Sequence, residues 1–416
     1  MTTKKKETPV EGDREPERRA DSIGVVLFDD PKNPGEGWTS VDGQEASRVR
    51  STAELRSDKA WVTNLDFGHM RDAKMNMGGR YRMLDWPQVK LTAIAAELGV
   101  DIEANPSTAV PALSAVIARI ARISSYSGLP DPTKEGKLLE SIQSLYSPDP
   151  KSYGANRVDE AIANAYHPYQ TCEGAYPDGG KFIALRYNRV AYAQLMQTVP
   201  LPSGRWQVAD TGDFPEYPDY QWLVEQGSWR PALAAITVEG IEDPGIAGLI
   251  SFDVTVNNEP RRWAPVHEVA QLVALGVRVR VDQLIVAEGV TTLDESYSLP
   301  QWTLGGLEEL SLSAGIVAQN WWMALATPRY VKKSGKRFTP RAAWLRAWDR
   351  LTMLRAALGL HRAGFHVSGY GSAQVHVVVP PALFDDLLEH AKHNDLVPQT
   401  RIVREVELAR TDEEAV

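Results

Sequence analysis

The chain has 416 residues, 43% of them hydrophobic and 24% charged, with a formal net charge of −9. That length supplies two or three domains' worth of core, but no apolar run of the roughly 18 residues that a membrane helix needs, so no membrane partner is expected. The polar N-terminus lacks the apolar centre of a secretory signal. A single cysteine, Cys172, excludes an internal disulfide framework and a cysteine-cluster zinc site. A cytoplasmic location is the resulting expectation. The acidic balance argues against a surface that is basic throughout, although a local basic groove can still hold nucleic acid. Twelve tryptophans point to large buried clusters or partner surfaces.

Residues 1–20 mix both charges with prolines and almost no apolar content, the composition of a disordered tail. A first strand is predicted over 22–28, closed by the turn cluster that begins at Asp29 and Asp30, and a second over 60–65. Helical patterns follow at 87–99 and 107–125. Loop stretches fall at 130–133 and 147–154. The second of these is the best domain boundary, giving an N-terminal domain over 21–150, a larger one over 151–395 and a C-terminal tail over 396–416. In the larger domain the pattern predicts a strand over 181–187 and a short helix ending near Met196. Strands at 234–239 and 248–256, a helix at 265–274 and a strand at 277–286 come next. The helix predicted over 304–326 is apolar or small nearly all round and should be buried. The helix over 340–362 carries Trp344, Ala347, Trp348, Leu351, Leu354 and Leu358 as an amphipathic stripe, and Gly364 follows it as a helix-ending glycine. A hairpin with a small-residue turn occupies 365–379, followed by a helix over 382–393. The fold class is α/β (α+β).

Three segments carry more than secondary structure. Gly180-Lys-Phe-Ile-Ala-Leu-Arg-Tyr-Asn-Arg-Val-Ala-Tyr-Ala-Gln-Leu-Met196 turns from a strand through Asn188 into a helix and is trailed by Leu201-Pro-Ser-Gly. The helix containing Ala314-Gly-Ile-Val-Ala-Gln-Asn-Trp-Trp322 follows at a distance. Last comes the helix from Phe338, which delivers the hairpin Gly369-Tyr-Gly-Ser-Ala-Gln374. In this order and at these separations, roughly over residues 160–380, the chain resembles the protein-primed family B DNA polymerases of phages and linear mobile elements. The resemblance implies a palm with part of the fingers, and an N-terminal domain that is either exonuclease-like or an unrelated α/β domain. It also implies a thumb, for which the residues after Pro380 leave no room.

Every chemically decisive position departs from the family pattern. The metal-binding aspartate that ends the first strand is Arg186, the lysine that grips the triphosphate is Ala314, and the hairpin aspartates are Ser372 and Gln374. Pro168 and Tyr169 replace the glycines of the template-binding segment. Phosphoryl transfer by two divalent ions needs carboxylates from strand and hairpin. A guanidinium in their midst repels a dication by about 8 kcal/mol at ~4 Å and an effective dielectric near 20. Asp30 lacks the glutamate two positions on that an exonuclease site requires, and the stretch around Asp66 matches the second exonuclease motif only loosely. The expectation is therefore a pseudo-polymerase without catalytic residues, metal or cofactor, acting by binding or scaffolding with a protein partner. Two alternatives stay open. One is a metal-dependent nucleotidyltransferase or nuclease with relocated carboxylates, Asp253, Asp282 or Glu288. The other is a non-specific nucleic-acid-binding protein that uses the basic residues Lys332, Lys333, Lys336, Arg337 and Arg341 beside Arg329. His366 and His376, on opposing hairpin strands, could face one another in a structural role.

Overall fold

The computed structural model describes residues 23–56, 58–75, 81–82, 90–126, 156–210, 212–250, 252, 255–256, 259–293, 312–331 and 335–398. They fall into two compact units, Met1–Met83 with Pro106–Ala118 and Leu84–Asn105 with Arg119–Val416. The N-terminal tail, the loop stretches at 130–133 and 147–154, and Asp253 lie outside the described residues.

In the first unit, Ile23–Phe28 forms β1, an apolar run buried on both faces as a central strand must be. β2 (Gly37–Val41) and β3 (Ser47–Val49) add antiparallel neighbours on one side. β4 (Ala60–Thr63) pairs parallel to β1 on the other side. α1 (Phe67–Asp72) follows, and β5 (Tyr81–Arg82) pairs parallel to β4. The mixed sheet has the order β3-β2-β1-β4-β5. Asn64 ties the end of β1 to the end of β4, its side chain accepting from the Phe28 amide and donating to the Phe28 carbonyl, both at 3.0 Å. Val26, Phe28, Val49, Leu55, Trp61, Leu65 and Met70 make the core. α2 (Leu91–Leu98) belongs to the second unit. Of α3 (Pro106–Tyr126), the part in the first unit holds β2 through Ser114, whose hydroxyl lies 2.8 Å from that of Ser40 and accepts from the Gly43 amide.

The second unit continues with α4 (Asn156–Ala165), β6 (Tyr169–Thr171), β7 (Lys181–Tyr187), α5 (Arg189–Thr198), β8 (Leu201–Val208), α6 (Tyr220–Trp229) and β9 (Ala232–Ile241). After these come α7 (Pro244–Ala247), β10 (Thr255–Val256), β11 (Glu259–Pro260), β12 (Trp263–Pro265), α8 (Val266–Ala274) and β13 (Val277–Thr291). The last group is α9 (Leu312–Leu325), β14 (Arg329–Val331), β15 (Gly335–Arg337), α10 (Pro340–Arg362), β16 (His366–Gly371), β17 (Gln374–Val379), α11 (Phe384–His393) and β18 (Leu396–Pro398). Among the described residues two larger antiparallel sheets result, β18-β7-β17-β16-β6 and β12-β9-β13-β8 built around the long β13, beside the two-stranded pairs β10-β11 and β14-β15. The whole is a mixed α/β fold, and no helix among the described residues is long and apolar enough to cross a membrane. The helix starts are legible as side-chain caps. Asn188 accepts from Val190 and Ala191 at the head of α5, and Thr339 accepts from Ala342 ahead of Pro340 in α10.

Several sequence expectations need correction. Among the described residues of 248–256, the predicted strand is seen only at Thr255–Val256, and 248–250 form a turn. Asp243 caps a helical turn that starts at Pro244, and the apolar Ile246, Leu249 and Ile250 are buried through that turn and the residues after it. Leu396–Pro398, read as the start of the tail, pairs with β7 as an edge strand. α10 is not amphipathic: it is buried on nearly every face, and Arg346, Asp349 and Arg350 are buried along with the apolar stripe. His366 and His376 do not face one another. A register shift between Val367 and Gly369 sets His376 opposite Gly369 and His366 opposite Val378.

The hairpin backbone passes close to the 168–169 segment. A Cβ on Gly371 (φ +126°) would come within 2.7 Å of the Pro168 carbonyl, in a conformation that L residues rarely adopt. Gly371→Ala is accordingly expected to lower stability by about 2–3 kcal/mol, read as a reduced urea midpoint at unchanged slope.

Candidate functional site

The antiparallel pairing of β7 with β17 sets Arg186 directly across from Gln374, and Ser372 lies in the turn just before it. The structure thus brings three of the singled-out positions together. Arg186 is held by α2: its Nη2 donates to Glu97 Oε2 at 2.8 Å. Arg189, in the first turn of α5, donates from Nη2 to the other oxygen of Glu97 at 2.6 Å and from Nε to the side-chain carbonyl of Gln319 on α9. Burial, then the neighbouring Arg186 charge, brings the Arg189 guanidinium down to about 10. One carboxylate therefore serves two largely buried cations. Ala314 is 4% exposed, a methyl group packed into the core of α9. On the same helix Trp321 and Trp322 are equally buried, so the tryptophan pair is core rather than surface.

The turn itself is unusual. Ser372 (φ 55°) and Ala373 (φ 61°) are both in the left-handed region, the geometry of a two-residue type I′ hairpin, where asparagine and glycine are the favoured residues. A buried carboxylate compensates. Asp349 of α10 accepts from the Ser372 amide at 2.5 Å, the Ala373 amide at 2.8 Å and the Tyr192 hydroxyl at 2.7 Å. Arg346, one turn earlier, donates from Nη1 to Ser372 Oγ at 3.2 Å and from Nε to the Ala326 carbonyl at 3.1 Å. Burial pushes the Asp349 carboxyl above its ordinary value, while Arg346 and the three donors oppose that shift. Beside the turn, Tyr169 Oη lies 2.7 Å from His376 Nδ1, and His376 Nε2 lies 3.1 Å from Gln374 Oε1. Gln374 is thus engaged within its own sheet.

A second ionic knot sits further along α10. Arg261 and Arg350 both donate to Glu268 Oε2, at 2.7 and 2.6 Å. Burial disfavours the charged carboxyl, but the two guanidiniums outweigh it and hold Glu268 down at about 2. His167 falls to about 3 through burial and then the charges of Arg350 and Arg261.

The remaining sequence candidates are not gathered here. Asp282 and Glu288 lie on β13, in the other sheet. There Asp282 takes Arg280 Nε at 2.8 Å and the Thr237 hydroxyl at 2.7 Å, and Glu288 accepts from the Arg205 amide. Lys332 and Lys333 lie outside the described residues, Lys336 and Arg337 belong to β15, and Arg341 opens α10. In the first unit Asp30 accepts from the Lys32 amide within its turn, and Asp66 caps α1. Sequence reading missed Glu97, Arg189, Asp349 and Glu268. The usable signal lay in α10, where charged residues at spacings of three and four sit in a helix with apolar residues on every other side.

The donor set around Arg186, Ser372 and Gln374 does not fit a pair of divalent cations. It offers a guanidinium, a hydroxyl and an amide, and the two nearby carboxylates, Glu97 and Asp349, already serve buried donors. Among the described residues no group of three His, Cys, Asp or Glu is placed to hold a metal.

No family model and no curated protein matches the chain. Solved structures do. Phi29 DNA polymerase, in complex with primer-template DNA and incoming nucleotide, aligns at 12% identity and a TM-score of 0.44, over 86% of this chain and 80% of that one. Its orthorhombic crystal form gives 11% and 0.46 over the same shares. The family B DNA polymerase of the archaeon Pyrobaculum calidifontis gives 13% and 0.34, over 89% of this chain and 55% of the other. Likeness of this order fixes neither family nor activity.

Two outcomes are expected. Asp349→Ala strands two turn amides and removes the acidic neighbour of Arg346, lowering the unfolding free energy by about 3–5 kcal/mol; a urea midpoint within error of wild type would refute the role. Glu268, whose folded carboxyl lies below its ordinary 4.5, contributes stability that is present above 4.5 and lost as pH falls toward 2. The stability advantage of wild type over Glu268→Gln should therefore shrink by about 2–3 kcal/mol between pH 5 and pH 2, measured by urea unfolding of both chains.

Proposed function

We propose that this chain is a catalytically inactive relative of the protein-primed family B DNA polymerases that works by binding or scaffolding, within a phage, mobile-element or replication-associated assembly. The observation that carries this reading is the salt-bridged Arg186, which faces Gln374 across the strand pair in which the family's metal carboxylates would meet. Strand, helix and hairpin occur in the family's order, and the strand and hairpin positions are adjacent in space. The chemistry at those positions is cationic or neutral. Arg186 and Arg189 share one carboxylate, and the only carboxylate hydrogen-bonded to the hairpin turn among the described residues is spent on backbone amides. A dication entering there meets surplus positive charge and must strip a partner from a buried ion pair.

The burial of α9 supports the same reading. Ala314, Trp321 and Trp322 are packed as core, and core of this kind serves to hold shape rather than to admit a nucleotide. A protein partner is the proposed ligand, and nucleic acid is a compatible second one through the basic residues about β14 and β15.

The test is primer extension by the purified chain on a primed template with all four deoxynucleotides and Mg²⁺ or Mn²⁺. No incorporation above the enzyme-free background is expected with either metal. Template-dependent extension with either metal would overturn the proposal.

A further inference from the structure

The knot between α8 and α10 is unbalanced in charge. Arg261 and Arg350 have side chains only 1% and 4% exposed, and they share a single carboxylate oxygen of Glu268. Among the described residues, two cations against one anion leave a buried surplus of one positive charge. Hydrogen bonds are lacking too: Arg261 Nε and Arg350 Nη1 are buried and have no hydrogen-bond partner among the described residues. Most buried side-chain N–H groups are met, because leaving them unmet forfeits their hydration with no return.

Both guanidiniums line one cavity, together with Gln170, Ile250, Phe252 and Tyr370. It has about 20 Å³ of room for a water-sized particle, which is space for one such particle and no more. Among the described residues of the lining, Glu268 is the only carboxylate. The Phe252 ring stacks over Arg261 at 4.4 Å and offsets part of its charge without accepting an N–H in line. Tyr370 is committed as a donor to the Leu249 carbonyl at 2.9 Å. Besides the polar Gln271, the rest of the wall is apolar, made by Ile250, Leu272, Leu351 and Leu354, which strengthens any charge–charge attraction inside. A water could accept from the orphaned donors but would leave the charge unbalanced. A small anion answers both needs. Sulfate and phosphate esters exceed the space.

We propose that this cavity is a binding site for a single monoatomic anion of the halide class, held by Arg261 and Arg350 and completing the charge balance around Glu268. The anion fastens α10 to α8 and to the segment carrying Arg261, so it is a structural ligand, independent of any role for the cleft at Arg186.

Thermal unfolding of the full chain at fixed ionic strength, exchanging sodium gluconate for sodium chloride or bromide, reads the site directly. The midpoint should rise with the logarithm of halide concentration, as for any ligand that binds only the folded state, and sodium sulfate should not reproduce the rise. Crystals grown in bromide should show an anomalous peak in contact with Arg350 Nη1 and Arg261 Nε. Arg350→Met should abolish the halide dependence. If that variant does not fold, Glu268→Gln provides a second readout, since removing the competing carboxylate should move the onset of the halide dependence to lower concentration. A midpoint that follows ionic strength alone, with no bromide peak in the wild-type crystal, overturns the proposal. So does the case in which Asp253→Asn destabilises the chain while halides have no effect, which would assign the balancing charge to Asp253.

Discussion

Helix α10 carries charged side chains into an interior where each must meet a fixed partner, and that requirement organises the second unit. A buried carboxylate tolerates few arrangements, because its oxygens need donors at hydrogen-bond distance and its charge needs a counterpart. Asp349 finds its donors in two backbone amides of a hairpin turn and in the hydroxyl of Tyr192 on α5. Arg350, the next residue, points to Glu268 on α8. One turn earlier, Arg346 reaches the Ser372 hydroxyl and the carbonyl that follows α9. Three residues within five positions thus fix the helix against the hairpin, α5, α8 and the end of α9. The surrounding tryptophans and leucines supply the burial that makes these bonds obligatory.

The same logic extends to the strand opposite the hairpin. Arg186 and Arg189 both find their counter-charge in Glu97 of α2, which is distant in sequence yet part of the same compact unit. Buried ion pairs seldom add much net stability compared with apolar packing, but they penalise every arrangement that breaks them. Their effect here is to specify one packing of α2, α5 and α9 around the end of β7. On the proposed reading this specificity has replaced metal chemistry as the reason for polar groups in the cleft.

Much of the architecture was legible from local pattern. The limits of α10 follow from Thr339-Pro340 and the glycine beyond its end, α5 from the Asn188 cap, and the hairpin from alternating apolar residues about a small turn. The inner charge network was not legible, for a definite reason. Arg346, Asp349 and Arg350 sit where a surface helix would carry its polar face, so periodicity assigned them to solvent, and only the three-dimensional crowding of apolar neighbours reverses that. Glu97 was equally silent, because a glutamate in an exposed-looking short helix gives no sign of the guanidiniums it will meet from residues about ninety positions on. At 248–250 the predicted strand gives way for a different cause: an apolar run does not distinguish a strand from a buried turn, and the Asp243-Pro244 start signal should have decided it.

The register of the hairpin has an evolutionary implication. An acidic residue introduced at position 374 would find Arg186 directly across the ladder, and one at 372 would find Arg346. Each newcomer would be neutralised by a resident guanidinium while standing close to the anionic Asp349 or within reach of the Glu97 pair. No single replacement can therefore open a cation-binding cleft, and several would have to arrive together. The present chemistry is entrenched by its neighbours.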